Sequence, residues 1–233
     1  MLKTNLEKVR KRIDYAAGKC GRQPGSVRLV VVTKTVSVER IKEAVDAGAD
    51  TFGENYIQEA RDKIQDLSAF PVSWHFIGHL QTNKAKYAVN LFDLIHSVDS
   101  IKLAREIDKQ AGKAGKIQDI LIQVNVAGEV QKSGIAPEKT FDMIKMIAGL
   151  ENITLNGLMT MPPFFNDPEK VRPYFRKIRE LRDRMQNELA AQSVTGPIRL
   201  DELSMGMTGD FEAAVEEGAT LVRIGTAIFG ERS

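Results

Sequence analysis

The sequence holds a single cysteine, Cys20, which excludes an internal disulfide and any cysteine-built zinc site and fits a reducing compartment. No apolar run comes near the ~20 residues that a membrane-crossing helix needs. Residues 1–17 are charged throughout and have no apolar stretch of the kind a secretion signal carries, while Glu7 and Asp14 argue against a transit peptide. These absences predict a cytoplasmic protein with no membrane partner. An excess of one charge is missing too. Lys and Arg number 33 against 31 Asp and Glu, a net charge of +2, so the chain has no basic field to hold nucleic acid. What is present is ordinary globular composition, 42% apolar and 27% charged, enough to bury a large core.

The apolar residues fall into a repeating order. Leu2, Leu6, Val9, Ile13 and Ala17 recur at helical spacing, with Thr4 and Glu7 in capping-box register and Gly18 as a stop. After the turn at Arg22–Gly25, Leu29-Val30-Val31-Val32 is a continuous apolar run, β-branched from Val30 on, the mark of a strand buried on both faces. Further strands are expected near Asp50, Trp74, Leu94, Asp119, Thr154, Glu202 and Leu221, with helical periodicity between them. The strand at Glu202 is the weakest, because Asp201 and Glu202 suit a buried strand poorly. Two helices end in nearly the same words, at Gly48 and at Gly218, each glycine feeding the next strand.

Eight strands alternating with helices predict a single domain over residues 1–233. The expected fold is a (β/α)₈ TIM-type barrel with an extra N-terminal helix, and a doubly wound open sheet is the alternative. Only a short tail follows the eighth strand, so the N-terminal helix is expected to cover the place of the last outer helix. Between Pro162 and Arg199 lies the longest connection. Its interleaved basic and acidic residues read as a solvated helix face that begins near Pro173.

In such a barrel the chemistry sits at the C-terminal ends of the strands. The polar residues found there are Lys34, Glu54 with Asn55, His79, Ser97, Asn125, Thr160, Ser204, and Arg223 with Gly225 and Thr226. Lys34 is either a snorkelling strand-end lysine or an amine held at an apolar mouth, where desolvation disfavours the ammonium form and leaves a nucleophile suited to Schiff-base formation. The run from Ser204 to Asp210 is either a plain loop or an anion cradle, its glycines baring backbone N–H groups before a helix start. Gly225 and Thr226 add a second set of donors, at the position where barrels of this kind bind phosphate. Arg223 lies inside an apolar strand and needs a partner, either an ion-pair member or a ligand atom. His75 and His79 are expected on one face of the third strand. Without a nearby carboxylate or cysteine they are a weak metal signal, and no metal is predicted.

Several blocks together resemble the pyridoxal phosphate homeostasis proteins, themselves similar to the N-terminal barrel of alanine racemase. They are Val32–Thr35, Phe52–Glu59, Trp74–Lys84, Gly157–Met161, Leu203–Met207 and Val222–Gly230. The resemblance implies bound pyridoxal 5′-phosphate, with Lys34 forming the internal aldimine. It implies a phosphate held by Ser204 and by backbone around Gly206, Gly225 and Thr226, with Arg223 facing the pyridine nitrogen and Asn55 and Met159 lining the cofactor. Ser37 stands where relatives often carry proline; both residues start helices. Lys132 has family interest but is given no role.

An arginine at the ring nitrogen weakens the electron sink, and proton transfer wants a second acid or base on the opposite face. In alanine racemase a tyrosine of a separate C-terminal domain does this work. That domain is expected to be absent here, and Tyr15, Tyr56, Tyr87 and Tyr174 offer no obvious replacement. The implied role is therefore buffering, sequestration and delivery of the cofactor, with little or no catalysis, by a monomer whose partners are the cofactor and apo forms of enzymes that use it. The rival readings are a pyridoxal phosphate-dependent amino acid racemase, a class I aldolase-like barrel and a bare interaction module.

Overall fold

A computed structural model describes residues 1–129 and 131–231. Its strands are β1 (Arg28–Val32), β2 (Thr51–Glu54), β3 (Ser73–Phe76), β4 (Leu94–Val98), β5 (Gln118–Gln123), β6 (Ile153–Met159), β7 (Ile198–Ser204) and β8 (Leu221–Ile224). All pair in parallel and in chain order, and β8 returns to β1, so the sheet closes into the expected barrel rather than an open sheet. The helices are α1 (Leu2–Lys19), α2 (Val38–Asp46), α3 (Ile57–Asp66), α4 (Ala85–Leu91), α5 (Ile101–Lys113), α6 (Thr140–Ile147), α7 (Arg172–Ala191), α8 (Phe211–Glu216) and α9 (Thr226–Phe229). None of the described helices is long and apolar enough to cross a membrane.

Strand registry sorts side chains between the lumen and the helix layer. Val30 lies level with Arg223, Val32 with Gly53, Gly53 with His75, and Met159 with both Gln123 and Ser204. Side chains alternate along each strand, so these residues share the inner face. Val30, Leu94, Leu121, Met159 and Leu221 form a separate apolar cluster that fills the lumen. The alternate residues, such as Val31, Phe52, Phe76 and Ile95, join the larger core under the helices.

Helix α1 packs against α2, α8 and α9, and the Asn5 side-chain amide donates to the Ile228 carbonyl across 3.1 Å. It therefore covers the sector that the short α9 leaves, as expected. Both of its ends differ from expectation. The helix starts at Leu2, with Met1 at its N-cap, because buried Leu2 draws the first turn onto the core and leaves Thr4 inside the helix with no capping bond. At the other end it runs past Gly18 to Lys19. Gly21 N–H then donates to Gly18 O (3.1 Å) and Arg22 N–H to Ala17 O (3.0 Å), a Schellman closure. Helices α2 and α8 do end ahead of Gly48 and Gly218, and Pro173 lies in the first turn of α7. Ser37 caps α2 in place of proline.

Strand β7 begins at Ile198, earlier than its composition suggests. Asp201 is exposed, whereas Glu202 lies on the inner face near the opening opposite the mouth, where it pairs with Arg28 and accepts from the Thr220 hydroxyl. The charged residues are therefore accommodated at a wet end of the barrel.

Candidate active site at the barrel mouth

Lys34 follows β1 in a two-residue turn with Thr35 and is half-buried. Thr35 adopts φ +60, a left-handed conformation unusual for a β-branched residue. In the loop after β3, Gly78 lies against the backbone of Asn55: a Cβ at Gly78 would sit 2.1 Å from the Asn55 carbonyl oxygen. Gly78 thus lets the loops after β2 and β3 meet and sets where Asn55 stands. A pocket of about 310 Å³ opens beside the Lys34 turn, lined by Val32, Thr35, Ser37, Arg40, Gly225 and Thr226.

The loop after β7 is pinned to β8 at its start. Met205 N–H donates to Leu221 O (3.1 Å), and Gly206 O accepts from Arg223 N–H (3.0 Å). Gly206 has φ +91, and a Cβ there would lie 2.6 Å from Ala214 Cβ, so the close approach of loop to α8 admits only glycine. Asp210 accepts from Met207 N–H at 2.6 Å and tightens the turn, and burial holds its carboxyl above the usual aspartate range.

Below the mouth, Arg223 is buried. One of its nitrogens donates to the Ser204 hydroxyl at 2.5 Å and another to the Thr160 carbonyl at 3.0 Å. Among the described residues no carboxylate lies within ion-pair distance of it. Burial lowers its pKa to about 10, partly offset by Asp210, which leaves it a cation at neutral pH.

Ser204 is buried, and its hydroxyl also lies 2.8 Å from His96 Nδ1; His96 Nε2 lies 3.0 Å from His75 Nδ1. A guanidinium only donates, so Ser204 Oγ accepts from Arg223; with the serine proton placed on His96 Nδ1, its other hydrogen-bond neighbour among the described residues, His96 donates from Nε2 to His75. The chain from Arg223 through Ser204 and His96 to His75 thus has one direction. Desolvation holds His75 down at about 4 and His96 well below the ordinary histidine range, with neighbouring positive groups adding to the effect, so both rings are neutral.

Arg223, Ser204 and Gly206 are therefore brought together, and Gly225 and Thr226 line the pocket with the Lys34 turn. Met159 is fully buried in the lumen cluster. Ser204 enters the site as the partner of Arg223. His79 does not share a strand face with His75. Strand β3 ends at Phe76, and His79 leaves the barrel, exposed, with its ring 3.3 Å from the Ser133 hydroxyl. His96 went unmarked among the strand-end residues, although the alternation from Leu94 puts it in the lumen, a signal present in the run Leu94-Ile95-His96. Glu54 faces outward beneath α3. Its carboxylate accepts from the Thr33 hydroxyl (2.6 Å) and from Lys63 Nζ (2.8 Å). Among the described residues no group of three or more His, Cys, Asp or Glu side chains could hold a metal ion.

The geometry defines a class, a closed eight-stranded parallel barrel with Lys34 and a glycine turn at the mouth and a buried arginine below. A profile of the alanine racemase N-terminal domain matches residues 4–233. The pyridoxal phosphate homeostasis protein of Aquifex aeolicus is 47% identical over 227 residues, covering 97% of this chain and 96% of that protein. The protein of the same name from Escherichia coli K12 is 40% identical over 231 residues, 98% of this chain and 95% of its own. Among solved structures, PipY of Synechococcus elongatus with pyridoxal phosphate bound superposes with a TM-score of 0.85 at 34% identity, covering 99% of this chain and all of that one (100%). An alanine racemase of Clostridium difficile matches at TM-score 0.70 and 18% identity over 56% of its own length, a likeness of fold alone. The chain belongs to the pyridoxal phosphate homeostasis protein family, within the alanine racemase N-terminal domain class.

Proposed function

We propose that this protein binds pyridoxal 5′-phosphate at the barrel mouth and holds it in reserve in the cytoplasm as a buffer and a source for apo-enzymes, acting as a single-domain monomer with little or no catalysis of its own. The observation that carries the reading is Arg223. A buried guanidinium with no carboxylate beside it wants an acceptor, and an unprotonated pyridine nitrogen is one. Bound there, the cofactor supplies an electrophilic aldehyde carbon on an electron-withdrawing ring.

Lys34 would hold that aldehyde covalently through its amine, the carbonyl oxygen leaving as water. Backbone N–H groups around Gly206, Gly225 and Thr226 hold the phosphate, and Met159 and Asn55 pack beside the ring. Ser204, His96 and His75 fix Arg223 and deliver no proton to it, since every bond in that chain already points away from the guanidinium. A group that only donates keeps the ring nitrogen unprotonated and blunts the electron sink, which supports storage over turnover. Inverting an amino acid also needs an acid or base on the opposite face. Tyr15 and Tyr87 lie on α1 and α4, Tyr174 lies on α7 against Phe165, and Tyr56 is exposed.

Titrating the protein with pyridoxal phosphate, followed by absorbance, tests the binding. A saturable band with one cofactor per chain that is absent from Lys34→Ala supports the reading; no band, or the same band in Lys34→Ala, refutes it. Incubating the loaded protein with L-amino acids in deuterated water tests the rest, since inversion with α-deuterium at useful turnover makes it a racemase.

A further inference from the structure

Behind the Lys34 turn, between β2 and α3, lies a buried ion cluster that no part of the binding reading uses. Lys63 of α3 has a side chain 7% exposed, and Glu54 at the end of β2 is fully buried. Lys63 Nζ donates to Glu54 Oε1 at 2.8 Å, to Glu59 Oε1 at 2.6 Å and to the main-chain carbonyl of Thr33 at 2.6 Å. The Thr33 hydroxyl donates to the same Glu54 oxygen at 2.6 Å. On the other side of the lysine, Thr35 N–H donates to Glu59 Oε1 at 2.5 Å.

Both residues flanking Lys34 are thus gripped by one cluster. The carbonyl of the Thr33–Lys34 peptide is held by the ammonium, and the N–H of the Lys34–Thr35 peptide is held by the carboxylate that the same ammonium pairs with. The grip falls on the turn in which Thr35 adopts its left-handed φ of +60. A β-branched residue keeps that conformation only where its surroundings over-determine it. Burying a lysine with two carboxylates costs desolvation that their attraction offsets only in good geometry, so such a cluster is a poor device for stability alone. As a device for fixing two peptide planes it is well formed.

We propose that Lys63, Glu54 and Glu59 are positioning residues for Lys34: they hold the main chain on either side of it in the turn that presents its amine to the pyridoxal phosphate pocket. The proposal rests on the binding reading above for the identity of that ligand. It makes its own claim about the orientation of Lys34, which is measurable without ligand.

Three variants of the full chain test it: Lys63→Met and Glu59→Gln, which loosen the two grips, and Asp108→Ala as a control. Asp108 accepts from the backbone N–H groups of Glu151 and Asn152, ahead of β6 and away from the mouth, so its loss weakens the fold without touching the turn. In the apo-protein, the rate of Lys34 modification by an amine-acylating reagent is read by mass spectrometry. It is expected to rise several-fold in Lys63→Met and Glu59→Gln relative to wild type, with Lys109 unchanged, and to stay at the wild-type value in Asp108→Ala. The dissociation constant for pyridoxal phosphate is expected to weaken on the order of tenfold in the same two variants, the scale at which a reacting group moved slightly out of place is felt.

Should Lys63→Met fail to fold, Glu59→Gln, changed at a site 26% exposed, carries the test alone. Folded variants that show wild-type labelling of Lys34 overturn the proposal, as does a change matched by the Asp108→Ala control. A wild-type protein that takes up no pyridoxal phosphate refutes the binding reading instead, and leaves the labelling result to decide the positioning claim.

Discussion

Arg223 sets the character of the site, because among the described residues its side chain donates to a hydroxyl and a carbonyl and to no carboxylate. A hydrogen bond to a charged group contributes about 1.5–3 kcal/mol. Arg223→Met is therefore expected to weaken pyridoxal phosphate by at least about tenfold, roughly 1.4 kcal/mol, while attachment to Lys34 persists. A titration giving wild-type affinity would remove the arginine from the site. The histidines carry a pH signature. His75 titrates at about 4 in the folded chain and near 6.5 when unfolded, and His96 is depressed in the same direction. The unfolded chain thus binds protons that the folded chain refuses, so stability present above about pH 6.5 is lost as pH falls toward 4. The loss is about 1.4 kcal/mol per pH unit for each histidine. Urea unfolding across that window is expected to follow this slope in wild type and a shallower one in His75→Gln; equal slopes would show that the pair is not buried neutral. These pairings were only partly legible in the sequence. Arg223 stands out there because a guanidinium inside an apolar strand needs a partner, yet which partner depends on strand registry that no local pattern encodes. The same gap explains why His79 was expected beside His75 while His96, two residues past Leu94, went unmarked.

At the scale of elements, the barrel was readable because buried parallel strands leave continuous β-branched runs and the helices between them end on marked glycines. Boundaries were less so. The start of α1 is set by the burial of Leu2 and its end by the closure at Gly21, both of which override the local capping signals at Thr4 and Gly18. Strand β7 was faint because its acidic residues face solvent or a salt bridge at the barrel's far end. The role of α1 as part of the outer layer predicts that Leu6→Ala, at a fully buried position, destabilises the protein by about 2–5 kcal/mol in denaturant unfolding. A change below that range would mean that α1 is an appendage. Gly206 ties an element to the site. Its Ala variant meets Ala214 and a forbidden backbone angle, so a stability loss of about 1–3 kcal/mol is expected together with weaker cofactor binding. Unchanged affinity for free phosphate and for cofactor would show that the loop is no cradle.

At the scale of the whole molecule, the closed sheet brings residues far apart in sequence to one mouth, Lys34 after the first strand and Gly225 after the last, because β8 pairs with β1. That closure was inferable from the count of strands, but the cluster of Lys63, Glu54 and Glu59 behind the wall was not. Its members are ordinary helix and strand-end charges until α3 is laid on β1 and β2. A ligand that binds only the folded barrel adds about 2.7 kcal/mol at a hundred times its dissociation constant. Pyridoxal phosphate at that excess is expected to raise the melting temperature by several degrees in wild type and by much less in Lys34→Ala. The most direct measurement is reduction of the loaded protein with borohydride, then proteolysis and peptide mapping. The account predicts one pyridoxyl group per chain, on the peptide bearing Lys34. A pyridoxyl group fixed chiefly on another lysine, or on none, would contradict it.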